Sequence, residues 1–289
     1  MKEIVIISGK GGTGKTSITA SFAHLAAKDA VVADCDVDAA DMHLLLDPDF
    51  ANPQPFYSGQ TAVIDTEKCI RCNKCVKVCR FEAINRVNGD FVVNEIKCEG
   101  CGYCEKICPS QAIKMEDALS GSTYTSTTRL KSPMVHAELA IAAENSGKLV
   151  TQVKTLAKNL TEEQKKKYLI VDGSPGIGCP VTASITGADY VVVVTEPTLS
   201  GWHDMKRAWE LITHFSLPVG VIINKADLNP EVTNQIKAFA KENSVQLLAE
   251  IPYNEAFVQA MTQAKTIVEH NEELATLIRE AWDKVANDE

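Results

Sequence analysis

The stretch Ser8-Gly9-Lys10-Gly11-Gly12-Thr13-Gly14-Lys15-Thr16-Ser17 decides how the rest of the chain is read. The apolar run EIVII leads into it, and a helical pattern from Lys15 to Lys28 follows it. Gly9 to Thr16 fits G-x-x-x-x-G-K-[ST], a loop whose glycines let backbone N–H groups turn inward on a polyphosphate. The helix that follows adds partial positive charge at its first turn. Gly9, Lys10, Gly11, Gly12, Thr13, Gly14, Lys15, Thr16 and Ser17 are therefore candidate nucleotide-binding residues. In this pattern Lys15 reaches the β- and γ-phosphates and Thr16 ligates Mg²⁺.

Outward from the loop, short Val/Ile-rich runs alternate with helical patterns. AVVADCD (Ala30–Asp36), YLIVDG (Tyr168–Gly173), YVVVVTE (Tyr190–Glu196), VGVIINK (Val219–Lys225) and QLLAEIP (Gln246–Pro252) read as strands. Near-continuous apolar strands are buried on both faces. The expected class is α/β, a mostly parallel sheet covered by helices on both faces.

The alternation stops between about Thr61 and Met115, where eight of the ten cysteines lie. Cys69, Cys72, Cys75 and Cys79 spell C-x2-C-x2-C-x3-C, and Cys98, Cys101, Cys104 and Cys108 repeat it 29 residues later. Lys68 and Lys97, Ala83 and Ala112, and Ile84 and Ile113 recur at the same interval. This is the two-cluster bacterial run, in which the fourth Cys of each motif ligates the other cluster. Cys69, Cys72, Cys75 and Cys108 are expected on one [4Fe–4S], and Cys98, Cys101, Cys104 and Cys79 on the second. The competing reading is zinc, whose sites pair two C-x2-C units at longer spacing. Arg80 stands where this run often has Pro; Pro109 keeps it. The preceding DPDFANPQPFYSGQ is Pro- and Gly-rich and reads as linker. The expected division is residues 1–60 with 116–289, interrupted by an insert at 61–115.

The chain of 289 residues carries a net charge of −9, which argues against sequence-blind nucleic-acid binding. No apolar run approaches the ~20 residues of a membrane span. The N-terminus lacks secretory features, so a cytoplasmic location is expected. Thiols stay reduced there, which favours metal ligation over disulfides.

KGGTGKTS, with its extra Lys10, resembles the deviant Walker motif of the MinD/ParA/Mrp group, which includes nitrogenase iron protein. With the cysteine octet, the chain resembles MinD-type ATPases carrying an inserted two-[4Fe–4S] ferredoxin domain. The resemblance implies that Lys10 reaches a partner's phosphates across an ATP-bound dimer. It gives Asp36, in DCD, the attacking water, places Asp34 near the Mg²⁺ shell, and has Asp172 hold Mg²⁺ through water. Gly176 then responds to the γ-phosphate. Asn224, Lys225 and Asp227 look like the NKxD of GTPases, yet the family uses the Asn on adenine, with Pro252 and Tyr253 flanking the base. ATP is expected over GTP. Asp204 has two readings, a neighbour of Lys10 or a helix N-cap. Cys179 sits seven residues after Asp172, as a cluster-bridging ligand of nitrogenase iron protein does, but no second Cys accompanies it. Cys35, Cys179 and His136 have no assigned role.

The expected function is an ATPase whose switches are coupled to electron transfer by two [4Fe–4S] clusters. The alternatives are an ATP-gated cluster-assembly carrier and a spatial organiser of the ParA/MinD kind. The expected partners are a redox or cluster-accepting protein and a second ATPase copy, in a homodimer or a heterodimer. Neither nucleic acid nor membrane is expected, because the C-terminal amphipathic segment is acidic.

Overall fold

Ile4, Val5, Ile6 and Ile7 are all fully buried, so the first strand lies inside a sheet covered on both faces. The computed structural model describes residues 1–140 and 147–287. Its strands are β1 (Lys2–Ser8), β2 (Ala30–Asp34), β3 (Gln54–Ile64), β4 (Ile84–Val87), β5 (Asp90–Val93) and β6 (Ile113–Thr127). Then come β7 (Pro133–Leu139), β8 (Tyr168–Pro175), β9 (Tyr190–Thr195), β10 (Val219–Asn224) and β11 (Gln246–Ile251). Nine form one sheet in the order β11-β10-β9-β1-β8-β2-β7-β6-β3, and β4 pairs with β5. The strands from β11 to β7 run parallel, with Val5 beside both Val171 and Val191.

This order positions the site. From β1 the chain moves to β2 on one side, and from β8 it returns across β1 to β9 on the other. Loops that part in opposite directions leave a crevice at the carboxyl ends of the strands, where α/β sheets bind ligands. The loops after β1 and β8 both open there.

Alternate side chains of each strand serve opposite helical layers. Ile4, Ile6 and Ile170 pack with Ile18 and Phe22 of the helix Lys15–Ala26, and with Ile278 and Trp282 of the helix Glu272–Ala286. The Phe22 and Trp282 rings lie 5.3 Å apart. On the other face Ile7 touches the position a Cβ on Gly173 would take, and the helices Lys148–Glu163 and Cys179–Ile185 lie against β8. The acidic C-terminal segment is thus a core helix that buries Leu274, Ala275, Ile278, Ala281, Trp282 and Val285. Among the described residues, no helix is long and apolar enough to cross a membrane.

One expectation is corrected. The presumed linker before the cysteines is partly strand, because β3 begins at Gln54. Its side chains are mostly exposed, so backbone pairing at a sheet edge, with little apolar burial, makes the strand. β6 and β7 are joined by the five residues Thr128–Ser132, a connection short enough only for antiparallel neighbours.

The chain forms two compact units. Pro55–Ser122 belongs to one, taking in most of β3 and of β6 on either side of the cysteine run. Its core is small: Ala62, Cys75, Ile84, Phe91 and Ile113. The other unit comprises Met1–Gln54, Thr123–Glu138 and the described chain from residue 147.

Candidate functional site

The loop between β1 and its helix is shaped by glycines where a side chain has no room. A Cβ on Gly9 would lie 2.5 Å from Asp204 Cβ and 2.7 Å from its carbonyl carbon. Gly14 has φ 92° and a Cβ there would strike the Asn224 amide. Asn224 Nδ2 donates to Thr13 O at 2.8 Å, and its Oδ1 accepts from Lys225 N–H at 3.0 Å. Asn224 therefore braces the loop. Asp204 is not the N-cap of its helix, Leu199–His214; that cap is Thr198, whose Oγ1 accepts from Gly201 N–H at 3.0 Å.

Behind the loop lies a buried ionic centre. Lys15 Nζ stands 2.9 Å from Asp172 Oδ1 and 3.1 Å from Asp36 Oδ2. Thr16 Oγ1 donates to Asp172 Oδ2 at 2.8 Å, and Thr19 Oγ1 to Asp172 Oδ1 at 2.7 Å. Asp34 is buried beside them and accepts the Asp36 N–H at 3.1 Å. Burial works against the Lys15 charge, but Asp172 and Asp36 outweigh it and hold its pKa above the ordinary value. Burial pushes the Asp36 carboxyl up, and Asp34 well up with help from Asp172. Two of these carboxyl groups contact the Lys15 ammonium directly. The oxygen-only donor set of Thr16, Asp36 and Asp172 suits a hard divalent cation such as Mg²⁺.

Lys10 is folded onto its own chain. Its Nζ lies 2.7 Å from Glu196 Oε1 and donates to Ser200 Oγ at 3.0 Å and Thr198 Oγ1 at 3.2 Å. Lys225 Nζ takes the other carboxylate oxygen, Glu196 Oε2, at 2.7 Å and donates to Gly12 O at 3.0 Å. Burial would raise the Glu196 pKa, yet the two lysines lower it. Glu196 and Thr19 went unnoticed in the sequence, since a Glu at the end of a strand and a Thr inside a helix have no motif.

The outer residues fall as follows. Asp227 Oδ1 accepts the Tyr253 N–H at 2.6 Å, which ties the NKAD turn to the exposed loop holding Pro252 and Tyr253. Gly176 N–H donates to Ser8 O at 2.8 Å. The loops after β2 and β8 are stitched together: Ser174 Oγ donates to Cys35 O at 2.7 Å, and Cys35 N–H to Asp172 O at 2.8 Å. Cys35 itself is fully buried, which pushes its thiol pKa up. Cys179 is exposed at the start of its helix. His136 is buried, stacks on Tyr124 and bonds Ser126 Oγ at 2.9 Å; desolvation brings its pKa down to about 4. That is a structural histidine. Glu144 and Asn145 lie outside the described residues.

The eight remaining cysteines line two separate cups in the Pro55–Ser122 unit. Cys69, Cys72, Cys75 and Cys108 line one. Cys98, Cys101, Cys104 and Cys79 line the other. The backbone repeats with the sequence. Left-handed φ values recur at Arg71 (56°) and Gly100 (63°), Asn73 (63°) and Gly102 (68°), and Glu82 (51°) and Gln111 (52°). Cys79 Sγ accepts the Ala83 N–H at 3.4 Å, and Cys108 Sγ the Ala112 N–H at 3.3 Å. Asp65 N–H donates to Ala112 O, and Asn94 N–H to Ala83 O, so each half closes on the other. Among the described residues, no three His, Cys, Asp or Glu converge on a point that would hold a single ion. An iron–sulfur cubane offers a separate iron to each thiolate, so its ligands stand farther apart than those of one tetrahedral ion.

Comparison with known proteins places this geometry. Residues 4–267 match the model of the "CobQ/CobB/MinD/ParA nucleotide binding domain" family. An uncharacterized protein of Methanocaldococcus jannaschii, MJ0578, is 34% identical over 286 residues, 98% of this chain and 96% of that one. Among solved structures, the septum site-determining protein MinD of Pyrococcus horikoshii OT3, complexed with Mg-ADP, has a TM-score of 0.58 at 17% identity, over 99% of this chain and 96% of that one. MinD in the MinC:MinD cell division complex of Aquifex aeolicus has 0.56 at 16%, over 100% and 97%. The phosphate-type loop, the carboxylates gathered around Lys15 and these matches agree: the chain belongs to the CobQ/CobB/MinD/ParA nucleotide-binding domain family.

Proposed function

We propose that this protein is a Mg²⁺-dependent ATPase whose nucleotide state is coupled to electron carriage by two [4Fe–4S] clusters. In this reading residues 1–60 and 116–289 are the ATPase, and 61–115 is an inserted two-cluster ferredoxin-type module. The carrying observation is the pair of cysteine cups, each lined by three thiols of one motif and the fourth of the other. A cluster bound there supplies a one-electron site.

At the nucleotide loop, Lys15 exchanges Asp36 and Asp172 for the β- and γ-phosphates, while Thr16 and Asp172 hold Mg²⁺. Asp36, freed from Lys15, orients the water that attacks the γ-phosphorus. Catalysis of this type is positioning and charge stabilisation, with little covalent chemistry by the protein. Asn224 and the Pro252–Tyr253 loop receive the base, and Asp227 holds that loop in place. Lys10 leaves Glu196 for a phosphate across a dimer. The proposed partners are a second ATPase copy, identical or related, and a redox protein.

The test is anaerobic purification followed by iron and acid-labile sulfide analysis. About eight of each per chain, with reduced-cluster EPR signals, is expected. Reduction midpoints are then compared with ADP and with a non-hydrolysable ATP analogue. Absence of sulfide, or identical midpoints together with identical partner affinity, removes the coupling.

The likeness to MinD and ParA structures favours a second reading on fold alone, a spatial organiser that cycles on a surface. ATP-dependent binding to DNA or to liposomes supports it. ATP hydrolysis with neither surface bound removes it.

A further inference from the structure

We infer that the loop Cys69–Arg80 is the docking face for an acidic one-electron carrier protein, received at the cup of Cys69, Cys72, Cys75 and Cys108. This rests on the cluster reading above and adds the class of partner and its place of binding.

The internal repeat serves as its own control. Cys69–Arg80 contains Arg71, Lys74, Lys77 and Arg80 and no acidic residue. At the same positions the second copy has Gly100, Tyr103, Lys106 and Pro109, and it adds Glu99 and Glu105. Both copies have the same backbone, down to the left-handed residues and the N–H bonds to the last cysteine. Forming a cup therefore does not require the cations. Nor is the charge a general property of the unit: Pro55–Ser122 has nine basic and nine acidic side chains.

Among the described residues, only one of these four cations is held in an ion pair. Arg71 is fastened to Asp90 at 2.6 Å across an exposed pair. Lys74, Lys77 and Arg80 are exposed, and among the described residues none forms an ion pair. Lys74 and Lys77 stand three apart on the short helix Lys74–Val78, where like charges repel. The second copy forms its cup with Tyr103 in place of Lys74 and Pro109 in place of Arg80, so the benefit of these cations lies outside the local fold.

Lys74 ties this charge to the cup, which it lines with Asn73 beside the exposed Cys72. Lys77 and Arg80 follow it in the same loop. Ile70, 64% exposed and adjacent to Cys69, supplies an apolar anchor in the same loop as the cations. Apolar contact inside a charged rim is the pattern of transient protein interfaces, where charge steers the encounter and sets its rate. A partner of negative surface charge fits. A nucleic acid fits poorly, because phosphate binding needs more contacts than these few cations supply.

The test uses anaerobically purified full chain with its clusters, probed with a purified acidic flavodoxin and a purified acidic ferredoxin by biolayer interferometry at low and high ionic strength. The variants are Lys74→Glu/Lys77→Glu/Arg80→Glu and, in the second repeat, Lys106→Glu/Lys114→Glu. Wild type is expected to bind at least one probe at low salt and weaken as salt rises. The triple reversal is expected to weaken binding at least about tenfold, and the second pair less than about twofold. Equal weakening by both variants, no binding of either probe at low salt, or tighter binding to RNA or anionic vesicles overturns the inference. Iron and sulfide measured on the same samples separate the cases. Loss of clusters in wild type defeats the cluster reading, whereas full clusters with unchanged binding in the triple variant defeat the docking face alone.

Discussion

Glu196 shows most about the chemistry at single-residue scale. One carboxylate holds two lysines, Lys10 and Lys225, at 2.7 Å each. Charge-assisted bonds of this kind are worth more than neutral ones. Replacing Glu196 with Gln frees Lys10, and ATP-driven self-association is expected to tighten by about tenfold, corresponding to ~1.4 kcal/mol. Analytical ultracentrifugation with a non-hydrolysable analogue reads this out; unchanged association means that Lys10 is not limited by that contact. Gly9→Ala forces a methyl into Asp204 and its backbone, which cannot yield without moving a helix. Nucleotide affinity is expected to fall at least about tenfold by calorimetry, with the fold retained by circular dichroism. Lys15 and Thr16 were legible beforehand because phosphate loops need those residue types at fixed spacing, and Asp172 only through the family resemblance. Glu196 was not, because its two partners lie 186 and 29 residues away.

At the scale of elements, the parallel strands were readable because burial on both faces leaves unbroken Val and Ile. β3 and β6 escaped notice since β3 exposes most of its side chains, β6 mixes exposed with buried ones, and neither alternates regularly enough to give a pattern. The helix ends also carry stabilising contacts. Arg129, in the β6–β7 turn, grips Glu269 with two bonds of 2.8 and 2.6 Å. Glu269 closes a capping box on Thr266 as well. Burial alone would raise the Glu269 pKa, but Arg129 and Thr266 take it from 4.5 down to about 2. A depressed carboxyl stabilises the fold fully above its unfolded value and loses that contribution as pH falls through the folded one. Arg129→Ala is expected to cost about 1–2 kcal/mol at neutral pH in chemical denaturation. The deficit should shrink as pH drops from 4.5 towards 2; a constant deficit would place its origin in packing.

For the whole molecule, the two units differ in what keeps them folded. The nucleotide-binding unit has a broad apolar core running from Ile4 to Trp282. The cysteine unit has a single small apolar cluster of five buried residues, one of them a cysteine, with other cysteines packed around them. A unit of that size with so little core needs a covalent or metal staple. Removing iron with a chelator is expected to abolish hydrogen-exchange protection from Asp65 to Ile113 and leave β1, β8 and β9 protected. Retained protection in the cysteine unit would show that it stands without metal. The cysteine spacing had already made the grouping of the eight cysteines into two cups legible, with the last cysteine of each motif lining the other cup. The extent of the unit was not, since strands with exposed side chains bound it.

The stitch between Ser174 and Cys35 has a kinetic meaning. Two chain segments that share a short bond must travel as a pair, so neither acidic loop can drift while the other waits. Departure of a terminal phosphoryl group would then register as an abrupt flip instead of a gradual relaxation. Severing that thread with Ser174→Ala should blur the flip into two phases in a stopped-flow trace.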